Sequence, residues 1–271
     1  MPDGFLTAVA AVINALFLGG SVYIYLSLVR QIAARAPLRE GEDELRTFGL
    51  PDAILASALA TLFIVNAATS SLSTGKVVLR SNELIANGLV SLGLFLFVFA
   101  FLAFRGRNVS LLAGFSKLGF RRTFITGGVL LFAAYPLIFL ADLLTQRLLG
   151  GESSRQGILE MFNDSQTLKQ RVLIIVLAVA IAPIIEEFVF RFFIYGVLKR
   201  YLGRFVGLFS NSLLFAAVHA HIPSAAPLFV LGACFTVAYE WTGSILVSMT
   251  MHALFNSLTL VALAFPDLFQ Q

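Results

Sequence analysis

Read along its length, the chain is a succession of long apolar runs separated by short charged or turn-rich breaks. Eight runs stand out, at about 5–29, 52–70, 84–104, 124–143, 172–196, 205–219, 226–241 and 244–265. A helix needs about 20 apolar residues to cross the hydrocarbon of a bilayer, and a helix is one of the few structures that satisfies every backbone group there. The pattern therefore predicts an all-α, polytopic membrane helix bundle of about eight transmembrane helices. The sixth and seventh runs are short, and helices of that length are expected to end inside protein, where exposed backbone faces a cavity. The first run is too long for the apolar core of a signal peptide and follows Asp3 rather than a basic residue, so it is expected to stay as a membrane helix. The longest polar connection, 144–171, carries Ile158, Leu159, Met161 and Phe162, which could form the apolar face of an interfacial helix or sit in a solvated loop.

Composition agrees with the pattern. Hydrophobic residues make up 58% of the 271 and charged residues only 13%, with a mean hydropathy of +0.89, whereas soluble domains average about a quarter charged. The net charge of +4 calls for no nucleic acid, because most basic residues fall between the runs. With the N-terminus outside, twelve Lys and Arg face the cytoplasm and six the exterior, so the bias places both termini outside. Cys234 is the sole cysteine; it can close no disulfide within the chain and reads as a small packing residue.

Ionisable residues inside the runs change the picture. The fifth run, "IAPIIEEFVFRFFIYG", holds Glu186, Glu187 and Arg191. On a helix, residues four apart lie about 40° from each other and adjacent ones about 100°. Arg191 thus lines up with Glu187, a buried ion pair that braces packing, and Glu186 is left to look across the bundle for a partner or a water. Pro183 lacks an N–H, so the carbonyl of Val179 is expected to be freed and the helix kinked there. "LLFAAVHAHIP" brings His219 with Phe215 one turn earlier, and "MTMHALFNSL" places His252 and Asn256 on one helix face. Counted from one membrane side at about 1.5 Å per residue, Glu186 lies roughly 15 Å deep, His219 about 20 Å, and His252 with Asn256 about 12–18 Å. All can meet near mid-membrane. A carboxylate and an imidazole can hold and deprotonate a water, and a second imidazole with a carboxamide can donate to the oxyanion of a tetrahedral intermediate, which is the chemistry of amide hydrolysis. A zinc site built from Glu186, His219, His221 and His252 is the nearest chemical rival, without the H-E-x-x-H helix that would favour it. A proton-coupled transporter lacks the inverted repeat that would support it.

The stretches "EEFVFR", "FAAVH" and "HALFN" resemble the motifs E-E-x-x-x-R, F-x-x-x-H and H-x-x-x-N of the CPBP family, which comprises CAAX prenyl endopeptidases and bacteriocin-processing or bacteriocin-immunity proteins. "YEWTGSIL", Tyr239 to Leu246, is also similar to the segment before the last motif. The resemblance covers roughly residues 125–265 and suggests a division into 1–123, membrane helices with no recognised motif, and 124–271, a CPBP-like catalytic bundle. It implies an intramembrane, glutamate-dependent endopeptidase that needs no metal or other cofactor. Glu186 and His219 would activate water, His252 and Asn256 would form the oxyanion site, and Glu187 with Arg191 would support it. The implied partners are a membrane-associated peptide or protein substrate, CAAX-like or a leader peptide, and the lipid bilayer. The implied location is the plasma membrane of a prokaryote. A non-proteolytic interaction or immunity protein of the same fold is the alternative the resemblance leaves open.

Overall fold

The computed structural model describes residues 2–39, 48–72, 81–149 and 167–265, together with Phe162 and Ser165. Among these residues there is no strand, and each of the eight apolar runs is a helix. We name them α1 (Pro2–Arg39), α2 (Leu50–Leu72), α3 (Ser81–Phe104), the single turn α4 (Val109–Leu112), α5 (Phe120–Leu149), α6 (Leu168–Leu202), α7 (Arg204–Val218), α8 (Ala225–Thr242) and α9 (Ile245–Ala264). Seven of them are long and apolar enough to cross a membrane. The chain is an integral membrane protein, a polytopic all-α bundle.

Most helices outrun their apolar stretches. α1 continues as helix through Arg30 and Arg35 to Arg39, so basic residues expected in a connection lie on a helical extension instead. The reason is that charge excludes a segment from hydrocarbon without disfavouring helix, since Arg is a good helix former. α7 is short as expected: 15 residues rise only about 22 Å, less than the ~30 Å of a bilayer core. The run after it is longer than expected, because a 3-10 turn at Ile222–Ser224 feeds α8 and the two make a 21-residue apolar unit. Of the possible interfacial helix, Ile158, Leu159 and Met161 lie outside the described residues. Phe162 is buried against Leu84, Ile174, Ala178 and Leu260 of α3, α6 and α9.

α6 is the axis of the molecule. It opens on a capping box, in which Thr167 Oγ1 accepts from the Gln170 amide and the Gln170 side chain accepts from the Thr167 amide; this satisfies two of the donors that a helix start leaves free. It closes at Gly203, whose φ of +80° turns the chain into α7. Its second half is nearly all aromatic and aliphatic, and Phe188 to Tyr195 are buried on every side, the mark of a helix surrounded by protein rather than lipid. α1, by contrast, exposes most of its length, Phe5 and Leu16 at 72% each, as suits a helix bathed in lipid. It is tied to the bundle by polar contacts on one face: Tyr25 Oη donates to the Leu130 carbonyl on α5 at 2.8 Å, and Trp241 Nε1 donates to Gln31 Oε1 at 3.1 Å. Cys234 is buried in the same core, beside Tyr25. α5 approaches α9 closely at Gly127, where a Cβ would stand 2.9 Å from Thr250 Cγ2.

Candidate active site

The middle of α6 departs from α-helical geometry twice, at Val176–Ile181 and Glu187–Ile194, where the backbone bonds span five residues instead of four. π-segments of this kind are often found at functional sites. The first has a local cause that can be traced. The Ala182 N–H bonds to the Leu177 carbonyl, five residues back; in that register the next donor would be residue 183, and Pro183 has none. The carbonyl left over is that of Ala178. Asn256 Nδ2 on α9 donates to it at 2.7 Å. Sequence reading expected the proline to free the Val179 carbonyl, four residues back; the carbonyl that Asn256 meets is the one before it.

The second π-segment carries the charges. Glu187 and Arg191 are both fully buried and form the expected ion pair, Nε to Oε2 3.3 Å. The pair is close enough for charge attraction but poorly aligned for a hydrogen bond, and no guanidinium nitrogen of Arg191 has a hydrogen-bond partner among the described residues. Aromatic faces surround the cation instead: Cζ lies 4.0 Å from the centroid of Phe215 and 5.3 Å from that of Phe235, an attraction worth ~2 kcal/mol when desolvated. Gly232 permits this cluster, since a Cβ there would press on Phe215 at 3.0 Å.

Glu187 has a second partner that sequence reading did not assign to it. His252 Nδ1 donates to Glu187 Oε1 at 2.9 Å, while Ser248, one turn earlier on α9, donates to the Ile245 carbonyl at 3.0 Å. With Nδ1 so engaged, Nε2 of His252 is turned toward Glu186 Oε2, 3.9 Å away, and the ring stacks on Phe235 at 5.1 Å. Phe235 was not singled out in the sequence, where it is one of 27 phenylalanines.

Glu186 differs from its neighbour. Its side chain is 31% exposed, and its Oε2 has no hydrogen-bond partner among the described residues. It lines a cavity of about 270 Å3 together with His219, room for several waters. His219 Nδ1 donates to the Phe215 carbonyl at 2.7 Å; a carbonyl can only accept, so the proton is on Nδ1 and Nε2 is the acceptor. The chain turns immediately afterwards at Ala220, whose φ of +50° is unusual for a residue with a Cβ. That turn sends His221 to Ser224 Oγ, 2.8 Å away. The zinc arrangement considered from sequence is not formed: among the described residues no group of three or more His, Cys, Asp or Glu is placed to hold a metal ion.

The structure therefore gathers Glu186, Glu187, Arg191, His219 and His252 around one cavity and its rear wall, and seats Asn256 on the π-segment of α6 beside it. Comparison with known proteins bears on the same stretch. Residues 168–258 match the model of the type II CAAX prenyl endopeptidase Rce1-like family. The membrane-embedded CAAX protease MroQ of Staphylococcus aureus (strain USA300) is 31% identical over 87 residues, a match that covers 30% of this chain and 35% of that protein. The chain thus matches about a third of the length of its curated relative. No solved structure matches. All three motifs fall within the matched region, so it is through residues 168–258 that the chain is similar to the type II CAAX prenyl endopeptidase Rce1-like family.

Proposed function

We propose that this protein is an intramembrane endopeptidase that hydrolyses a peptide bond of a membrane-associated substrate, with Glu186 as the base, and that it resides in the plasma membrane of a prokaryote. The observation that carries the reading is the division of labour between adjacent carboxylates. Glu187 is consumed by Arg191 and His252, whereas Glu186 opens on a cavity shared with an imidazole acceptor.

A water between Glu186 and His219 Nε2 gives up a proton to the glutamate as its oxygen attacks the carbonyl carbon. The carbonyl oxygen becomes the oxyanion of a tetrahedral intermediate. Donation to it from His252 Nε2 requires a proton on both ring nitrogens, since Nδ1 holds its own on Glu187. Asn256 has one N–H committed to Ala178 and a second available as the other donor. Collapse of the intermediate breaks the C–N bond, and the proton held by Glu186 passes to the departing amine. Buried Arg191 pairs with one oxygen of Glu187 while the other holds His252 Nδ1, so the pair helps to orient the ring. That the relative carries the name CAAX protease supports a substrate with a lipid-anchored or membrane-bound C-terminal segment.

The test is cleavage of a pool of internally quenched, membrane-inserting peptides by the purified protein in lipid vesicles, with and without a tight zinc chelator. Turnover by wild type that persists in chelator and is lost in Glu186→Gln supports the reading. Turnover that vanishes with chelator and returns with Zn2+ replaces it with metal chemistry, and a peptide pool left intact by a folded protein replaces it with a binding function.

A further inference from the structure

The cavity that holds Glu186 and His219 is completed by two polar residues from helices outside the matched region: Asn66 of α2 and Ser91 of α3, with Phe63 and Leu94 beside them. Their placement follows from how α2 and α3 are seated. Phe63 of α2 stacks on Phe190 of α6 at 5.5 Å, and Phe95 of α3 packs edge-on to Phe188 at 4.7 Å. Positions 188 and 190 are two apart and so point to different sides of α6. The two helices consecutive in sequence are each fastened to α6 and share at most marginal contact with each other among the described residues. Between them a cleft remains, with Ile185, Glu186 and Val189 as its floor.

Asn66 and Ser91 are both exposed; Ser91 stands near the middle of its apolar span, and Asn66 lies within its own, four residues from the end. A carboxamide turned toward hydrocarbon without a partner costs several kcal/mol, roughly 4–8 on a scale where nothing can hydrogen-bond. A polar residue at such a position belongs to an interior that is polar when in use. A peptide in extended conformation offers what these two side chains recognise: an N–H and a C=O per residue, with alternate side chains free to lie against Phe63 and Leu94. The carboxamide of Asn66 can accept from one backbone group and donate to another, and the Ser91 hydroxyl can do either.

We infer that Asn66 and Ser91 are substrate-contacting residues, which hold the backbone of an extended peptide in the α2–α3 cleft so that one of its carbonyl groups lies over Glu186 and His219. The inference rests on the endopeptidase reading for its chemistry but not for its geometry. Neither side chain is buried, so substitutions leave the fold intact. Two measurements decide it. With the best-cleaved peptide of the quenched pool, Asn66→Leu and Ser91→Ala are expected to raise KM about tenfold with kcat changed less than threefold, and Asn66→Gln to restore most of the loss; a KM unchanged within twofold in both overturns the inference. In the inactive Glu186→Gln protein, p-benzoylphenylalanine replacing Asn66 or Ser91 is expected to photocross-link biotinylated pool peptides in vesicles, with little adduct from the same group replacing lipid-facing Phe97. Adducts no heavier than at Phe97 overturn it also. Cross-linking from both positions without cleavage by wild type leaves this inference standing and removes the endopeptidase reading.

Discussion

Buried carboxylates in this molecule are of two kinds, which differ in how completely they are paired. At one end of α8, Glu240 accepts from Lys199 Nζ at 2.9 Å and from Tyr195 Oη at 3.1 Å, and forms an ion pair with Arg204 at 2.7 Å. Asp52 behaves likewise, accepting from Arg105 Nε and Nη2, at 3.0 and 3.2 Å, and from the Gly49 amide at 2.6 Å. Each of these carboxylates is saturated by its own neighbours. In the middle of the bundle, Glu186 Oε2 and the guanidinium of Arg191 lack hydrogen-bond partners among the described residues. Buried polar groups are almost always paired, so an open one asks for an explanation. The saturated carboxylates join helices, and there the one open group is Arg204 Nε, beside Glu240; Glu186 has an oxygen left over, facing the cavity, for the substrate proposed above.

Substitutions should separate the two kinds of cluster. The largest effect is expected for Glu186→Gln, which preserves size and removes the proposed base: turnover falls about a thousandfold or more while the thermal midpoint stays within about 2 °C of wild type. A retained rate, read in the vesicle assay, would erase the contrast. Next comes Arg191→Ala, which leaves Glu187 charged and buried and is expected to cost about 3–5 kcal/mol in chemical denaturation, together with most of the activity. Glu240→Gln sharpens the comparison from the other side. Its partner Lys199 is 32% exposed, so water compensates in part and the cost is about 1–3 kcal/mol, with kcat unchanged in whatever protein remains folded. The smallest effect belongs to Ala220→Gly beside His219. Relief of the left-handed backbone is worth ~1 kcal/mol, set against the entropy glycine loses on folding, so the midpoint rises by a degree or two at most.

The bundle was legible because a membrane helix declares itself by length and hydropathy alone, and all eight runs are helices. The Glu187–Arg191 pair was legible because the i, i+4 relation survives even where the backbone loosens. The partnership of Glu187 with His252 was not, since nothing local says which of two adjacent carboxylates a distant imidazole will meet; packing of α9 against α6 decides it. Asn66 and Ser91 were passed over because one amide or hydroxyl in an apolar run resembles any other until the neighbouring helices are in place. Phe215 entered only as the residue one turn before His219, and its work, facing the Arg191 cation at 4.0 Å, depends on how α7 packs against α6.

The bond from Asn256 to the Ala178 carbonyl makes two distant positions genetically interdependent. Asn256 repairs a vacancy that Pro183 creates, so the residues form an epistatic pair across α6 and α9. In a Pro183→Ala background the backbone can supply its own N–H, and the structural penalty of Asn256→Ala should shrink while any penalty on rate persists. The double mutant cycle therefore separates the carboxamide that mends a helix from the carboxamide that faces a reacting carbonyl. In a lineage that lost the proline, the asparagine would be held by chemistry alone.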